Sequence, residues 1–260
     1  RRQGSDDVNM RAAETFSFND FASNGGILVA GGLVMALNQA WPDLVVGLIV
    51  AAIAVKGGVR QVLAKGPAGQ NVELLSQLAS RLGDGLHLPG SAGYRASLER
   101  VFFPDASRRT PPAVVHPRTT RDVSTVLQVA SAAGGRVSVR GGGLSSNCVD
   151  DSAVMIDLSV HLGNAEPDGD HVRVGGGATV GTALAAIAPQ DRVIPVGIVG
   201  LAGMGLVTRG GVGYLTRDIG LALDHLVEVE LVLPSGEIVT LSEGSTGYQA
   251  DLWWAVRGCA

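Results

Sequence analysis

Three clusters of glycine hold the residues of this chain best suited to chemistry, and the chemistry they suit is anion binding. The first follows the run RVSVR: Arg140 leads into Gly141, Gly142 and Gly143, then Leu144, Ser145, Ser146 and Asn147. Consecutive glycines straight after a strand let successive backbone N–H groups converge on one anion, a phosphate nest. The Arg140 guanidinium and the serine hydroxyls would add charge and donors. A plain surface turn needs fewer glycines and no flanking cation. The second cluster, Gly175-Gly176-Gly177, opens a spacing G-x-G-x-x-x-G that runs to Gly181, close to a dinucleotide fingerprint. That fingerprint wants an acid ending the next strand to hold a ribose. The next strand candidate, RVIPVG, ends without one, so helix-on-strand packing is the expected role. The third cluster spreads Gly203, Gly205, Gly210, Gly211 and Gly213 along one loop. Little side chain is left there to build a core, so that backbone is expected to lie against something flat or bulky.

The elements needed to hold these loops read as an alternating α/β unit. AVVHP is a short strand, TTRDVSTVLQVASAAGG an amphipathic helix with Thr120 as its cap, and RVSVR a second strand. Strand, helix, strand implies a parallel crossover. VMIDLS and HVRVG are further strands and TVGTALAAIA a helix. LVEVELVL and EIVTL, separated by PSG, make a hairpin. Residues 66–110 read as a connector, with NVELLSQLASRL at helical spacing and Pro111-Pro112 marking its end.

The first 65 residues have a different character. No charge interrupts Phe21 to Pro42, and after Asp43 the run LVVGLIVAAIAV reaches Lys56, so residues 1–65 read as a two-helix transmembrane hairpin. Arg1, Arg2 and Arg11 precede it, Lys56, Arg60 and Lys65 follow it, and the linker NQAWPD has no cation. The positive-inside tendency then puts both ends and everything after Lys65 in the cytoplasm. The alternative is a buried helical hairpin, which leaves the whole chain cytoplasmic. The chain starts at Arg1 and stops in a tryptophan-rich stretch, so both ends read as cut.

Composition narrows the partners. With a net charge of −4, a nucleic-acid partner is not expected, because phosphate backbones need a basic face. Two cysteines, Cys148 and Cys259, are too few for a disulfide framework or a metal site of the usual spacing. Charged residues are only 17% against 46% apolar, in keeping with a membrane-facing segment.

Taken in order, VHPRTTRDVSTVLQVASAAGGRVSVRGGGLSSN, IDLS, VGGGATVG, GLVTRGGVGYLTRDIGLALDHLVEVELVLPSGEIVTLS and DLWWAVRG resemble the PCMH-type FAD-binding domain of the vanillyl-alcohol-oxidase family. Within that family the match is to the berberine-bridge-enzyme-like oxidases, and it spans residues 111–260. The resemblance implies an α+β (α/β) fold of two subdomains and FAD as cofactor. Arg140, Gly141, Gly142, Gly143, Leu144, Ser145, Ser146 and Asn147 would hold the pyrophosphate. Gly205, Thr208, Gly210, Gly211, Gly213 and Tyr214 would line the cofactor, with Asp224 and His225 toward the flavin and Val239 near the adenine. Many members attach the flavin to a histidine directly after the RGGG run, where this chain has Leu144, or to a cysteine absent from IPVGIVGLAG. Non-covalent FAD is therefore implied. In this family the substrate pocket lies in a second domain beyond residue 260. His225 is the one histidine held as a catalytic candidate; His116, His161 and His171 are expected to be structural.

Residues 8–65 resemble the last two transmembrane helices of cation diffusion facilitator transporters, with Asp20 at the intramembrane metal-binding position and Asn24 one turn later. Phe16 stands where many zinc transporters of that family have histidine. Three readings follow: a flavin-dependent oxidoreductase or its FAD-binding portion, a cation-efflux transporter fragment with a passenger domain, and a non-catalytic flavin-binding remnant.

Overall fold

The run AVMID carries no polar side chain until its last residue, and it becomes a strand buried at every position. A strand buried on both faces belongs in the middle of a parallel sheet. The computed structural model describes residues 68–259. Its elements begin with helix α1 (Ala68–Leu82), strand β1 (Leu86–His87) and helix α2 (Ala92–Glu99). Strand β2 (Val114–Val115), helix α3 (Thr120–Ala132), strand β3 (Arg136–Arg140) and strand β4 (Ala153–Asp157) follow. These strands form one sheet in the order β1-β2-β4-β3, with β2, β4 and β3 parallel and β1 antiparallel at one edge. One face of the sheet packs Val115, Val154 and Ile156 against Leu74 and Leu78 of α1 and Val126, Val129 and Ala130 of α3. The other packs Val114 and Met155 with Tyr94, Val101, Cys148 and Val149. Each fully buried aliphatic side chain here stabilises the fold by roughly 1.5–3 kcal/mol.

Residues 68–110, which read as a connector in sequence, are built into the domain. Leu74 and Leu78 lie in its core, β1 adds a strand to its sheet, and the Tyr94 hydroxyl donates to the Pro111 carbonyl at 2.9 Å. The cap of α3 is Thr119 rather than Thr120. Counting from Thr119 makes Asp122 the third helical residue, and its carboxylate takes the N–H groups of Arg118 and Thr119 in a capping box.

Strand β5 (Ala165–Asp168) pairs antiparallel with β6 (His171–Val174), and helix α4 (Val180–Ile187) follows. Strand β5 was not legible, because AEPD is polar and contains a proline; a two-strand ribbon tolerates both. RVIPVG forms no strand, and its Pro195 has no N–H to give a ladder. The expected hairpin joins β7 (Glu228–Val232) to β8 (Ile238–Ser242). It packs Leu233, Val239 and Leu241 on Trp253 of helix α5 (Tyr248–Trp254). Helix α3 also holds this hairpin, since the Thr120 hydroxyl donates to the Glu230 carboxylate at 2.5 Å and the Ser124 hydroxyl donates to the Gly236 carbonyl.

The membrane hairpin and Asp20 lie outside the described residues. Among the described residues, no helix is long and apolar enough to cross a membrane.

If α1 is part of the core, truncating its most buried side chain must unfold the domain more easily. Leu78→Ala is expected to cost about 2–5 kcal/mol in urea unfolding. A cost under about 0.5 kcal/mol would return residues 68–82 to the status of a connector.

Candidate functional site

The parallel strands deliver their carboxyl ends to one edge of the sheet, where open α/β sheets bind ligands. Arg140 and Asp157 end β3 and β4 as direct neighbours in register. Their side chains pair at 2.7 Å and are 4% and 0% exposed. Asp157 Oδ1 also takes the Ser159 hydroxyl at 2.7 Å and its N–H at 3.0 Å. A second Arg140 nitrogen reaches the Arg100 carbonyl at 3.2 Å. Burial pushes the Asp157 carboxyl up, but the Arg140 guanidinium with the Ser97 and Ser159 hydroxyls outweighs it and holds the group below the usual carboxylate range. The Arg140 guanidinium thus turns inward and is used by the protein, whereas the sequence suggested it faces the ligand.

Gly143 lies directly over this guanidinium, at φ +80°, and a Cβ there would come within 3.0 Å of Arg140 Nε and 2.8 Å of the Arg100 carbonyl. Two carbonyls of the loop, and that of Val149 after it, are held from behind. Gly143 O takes the Phe102 N–H at 3.0 Å, and Arg109 donates to Ser146 O at 2.8 Å and Val149 O at 2.6 Å. The N–H groups of Gly141, Gly142, Gly143 and Leu144 meet no acceptor among the described residues. The second glycine loop is the opposite case. Its Gly175 and Gly177 N–H groups donate to Asn164 O and Leu162 O, each at 2.9 Å. At the start of α4, the Val180 and Gly181 N–H groups donate to Ala202 O at 2.7 Å and Gly200 O at 2.8 Å. Of the first two loops, then, the first leaves four successive N–H groups without an acceptor among the described residues, and the second leaves only that of Gly176.

The third loop rests on the first. A Cβ on Gly142 would run into the Gly203 amide and come within 2.8 Å of Leu201 O. Beyond it, Met204–Arg209 forms a 3-10 turn in which the Thr208 hydroxyl donates to Gly205 O at 3.2 Å. Gly210 and Gly211 follow at positive φ, and Gly210 O takes the Leu223 N–H at 3.2 Å. Gly213 N–H donates to the Thr216 hydroxyl at 2.9 Å, while Tyr214 stands 81% exposed. Ile198, Val199, Leu201 and Val212 are exposed along the same loop. Asp224 accepts the Leu221 N–H at 2.9 Å, and His225 Nε2 lies 2.6 Å from Ile219 O. A carbonyl only accepts, so Nε2 is the donor in this contact. Val239 differs from the rest, because its side chain is buried with Leu233, Leu241 and Trp253 and only its backbone can face a ligand.

Sequence reasoning missed Asp157, Arg100 and Arg109, which brace the loop. The one signal was an acid closing an otherwise apolar strand, in IDLS. Among the described residues, no group of three or more His, Cys, Asp or Glu side chains could hold a metal ion.

Residues 111–242, just over half of the chain, match the family model described as an FAD binding domain. The chain belongs to this FAD-binding-domain family. Glucooligosaccharide oxidase of Sarocladium strictum is 34% identical over 154 residues, covering 57% of this chain and 30% of the relative. (R)-6-hydroxynicotine oxidase of Paenarthrobacter nicotinovorans is 33% identical over 144 residues, 53% of this chain and 30% of the relative. Among solved structures, glucooligosaccharide oxidase of Acremonium strictum superimposes with a TM-score of 0.62 at 30% identity, over 72% of this chain and 39% of that one. The 6-hydroxy-D-nicotine oxidase of Arthrobacter nicotinovorans gives 0.61 at 27% identity, over 67% and 38%. The chain therefore spans about a third of the length of the curated relatives it matches. FAD is the cofactor of this domain, and the four N–H groups of the first loop that meet no acceptor among the described residues have the chemistry to take an anion.

Asp157→Asn leaves the buried Arg140 charge without a counter-ion and is expected to cost about 3–5 kcal/mol in denaturant unfolding. Replacing both partners, Arg140→Met with Asp157→Leu, is expected to recover most of that loss. A single-variant cost under about 1 kcal/mol would show that the pair does not hold the strand ends.

Proposed function

We propose that this chain is the FAD-binding portion of a flavin-dependent oxidoreductase, with FAD held non-covalently on the first and third glycine loops. The observation that carries the reading is the row of N–H groups from Gly141 to Leu144 that meet no acceptor among the described residues, on a loop whose Gly143 and Ser146 carbonyls accept from Phe102 and Arg109. These groups would take the pyrophosphate, and Ser145, Ser146 and Asn147, all exposed, would add side-chain donors. Residues 205–214 would lie along the cofactor, and the Val239 backbone would pass near the adenine. Leu144 has no heteroatom with which to attach a flavin, and IPVGIVGLAG has no cysteine.

Bound FAD supplies an acceptor for a hydride from a carbon carrying OH or NH, and is reoxidised by oxygen or another acceptor. The relatives named above are, by name, oxidases of a glucooligosaccharide and of a hydroxynicotine, which supports that reaction class. Near the third loop His225 sets its Nε2 against Ile219 O, which leaves Nδ1 as the ring atom that would accept a proton from a substrate.

Purified chain is expected to carry, or to take up, a flavin with its visible absorption bands, and denaturation followed by filtration should send all of it into the filtrate. Flavin that stays with the denatured chain would overturn non-covalent binding. A colourless chain that ignores added FAD would overturn the whole reading. A sharper test uses Gly205, where a Cβ would meet nothing within 4 Å. Gly205→Ala should leave the unfolding midpoint unchanged and weaken FAD binding by roughly tenfold, about 1.4 kcal/mol. Unchanged affinity would place the cofactor elsewhere.

A further inference from the structure

Three histidines the sequence reading set aside as structural or as part of a connector meet behind the phosphate loop. His116 leaves the end of β2, 8% exposed, and its ring lies 4.1 Å from that of His87 on β1 and 6.5 Å from that of His161 after β4. Its Nε2 is 2.8 Å from the hydroxyl of Ser97 on α2, a side chain 1% exposed. The Ser97 hydroxyl is also among the groups that hold the carboxyl of Asp157 low, and Asp157 is the carboxylate that holds Arg140 beneath Gly143. Its Oδ2 is buried without a partner, as is Arg140 Nε.

We propose that this imidazole cluster is an acid-operated latch on the phosphate cradle: a proton entering it drives β1 off the sheet edge, breaks the His116–Ser97 contact, loosens the Asp157–Arg140 prop and releases the dinucleotide. The proposal rests on reading Gly141–Leu144 as the FAD cradle. The groups facing His116 oppose a second positive charge. Burial comes first, then His87, His161 and Arg100, with Asp157 alone favouring the charge, and together they lower its pKa to about 4. Arg81, Asp84, Arg118 and Asp122 line the cavity of about 260 Å³ beside it, with cations and anions in equal number. His116 is thus neutral when folded and binds a proton more readily when the cluster opens. A histidine whose folded pKa lies below its unfolded value stabilises the fold fully above about pH 6.5 and loses that contribution as pH falls toward 4. The element that leaves is short: β1 has two residues, and its hold on β2 is only the pairs Leu86↔Val115 and His87↔Val114.

The test uses the full chain, loaded with FAD. Unfolding of wild type and His116→Gln is measured from pH 8 to 4.5, with flavin release followed by its fluorescence. The wild-type folding equilibrium constant is expected to fall by up to roughly tenfold per pH unit more steeply than that of His116→Gln between pH 6 and 4.5. Flavin release should move to lower pH in the variant. Parallel unfolding curves, or an NMR titration placing His116 in the folded protein near 6.5, would overturn the latch. If the chain takes no FAD, the cradle reading fails while the slope difference still decides whether the cluster opens in acid. Should His116→Gln fail to fold, the wild-type imidazole titration, with Ser97→Ala for comparison, gives the same decision. Steeper acid release without a change in slope would also overturn the proposal, because the coupling would not pass through His116.

Discussion

The buried ion pair between Arg140 and Asp157 is the contact on which this domain's geometry turns. Two charges with almost no exposed surface are a liability unless the geometry is good and the remaining polar atoms are bonded. Here the pair is in register at the ends of adjacent parallel strands, Ser159 adds two donors to the carboxylate, and the Arg100 carbonyl takes a further guanidinium N–H, while Asp157 Oδ2 and Arg140 Nε have no partner among the described residues. Those partners come from three separate stretches of chain. The pair therefore fixes where β3 stops, where β4 turns, and where the chain leaving α2 must run. Gly143 lies on the guanidinium because no Cβ would fit there, so the position of the first glycine loop follows from the position of the pair.

The glycines then divide the work between loops. Gly142 and Gly203 are in mutual backbone contact, which brings the first and third loops together with no side chain between them. The second loop lies against the first at Gly141 and Gly176, with its Gly175 and Gly177 amides bonded to Asn164 and Leu162. Three runs that look alike in sequence thus play three parts: one presents donors, one approaches closely, and one packs. Which N–H groups remain free, rather than how many glycines there are, separates a binding loop from a structural one.

That distinction explains what the sequence made legible. Period and turn chemistry located α3, β3, β4, β6, α4 and the β7–β8 hairpin, because each is set by local pattern. The second glycine loop was read as structural from a missing acid, and its bonded amides give the physical reason. The role of Arg140 was misread because a guanidinium next to a glycine run looks like a phosphate ligand. Its burial depends on Asp157, seventeen residues away, and no local rule pairs the two. The contribution of residues 68–110 was hidden for a similar reason. NVELLSQLASRL reads as a helix, but what it covers is settled only when Leu74 and Leu78 meet α3.

The remaining question is why exposed apolar side chains and free backbone donors share one region. Ile198, Val199, Leu201, Val212 and Tyr214 are exposed on the third loop, and Leu201 O touches the place where a Gly142 Cβ would be. For a simple phosphate the donors would suffice, and the apolar patch would be a solubility cost. For a simple hydrophobic partner the patch would suffice, and the uncommitted N–H groups would be a desolvation cost on binding. A ligand that is anionic at one end and flat and apolar at the other uses both. FAD has that division, with a pyrophosphate beside a fused ring system. Gly142 and Gly203, in backbone contact, hold donor row and apolar patch side by side.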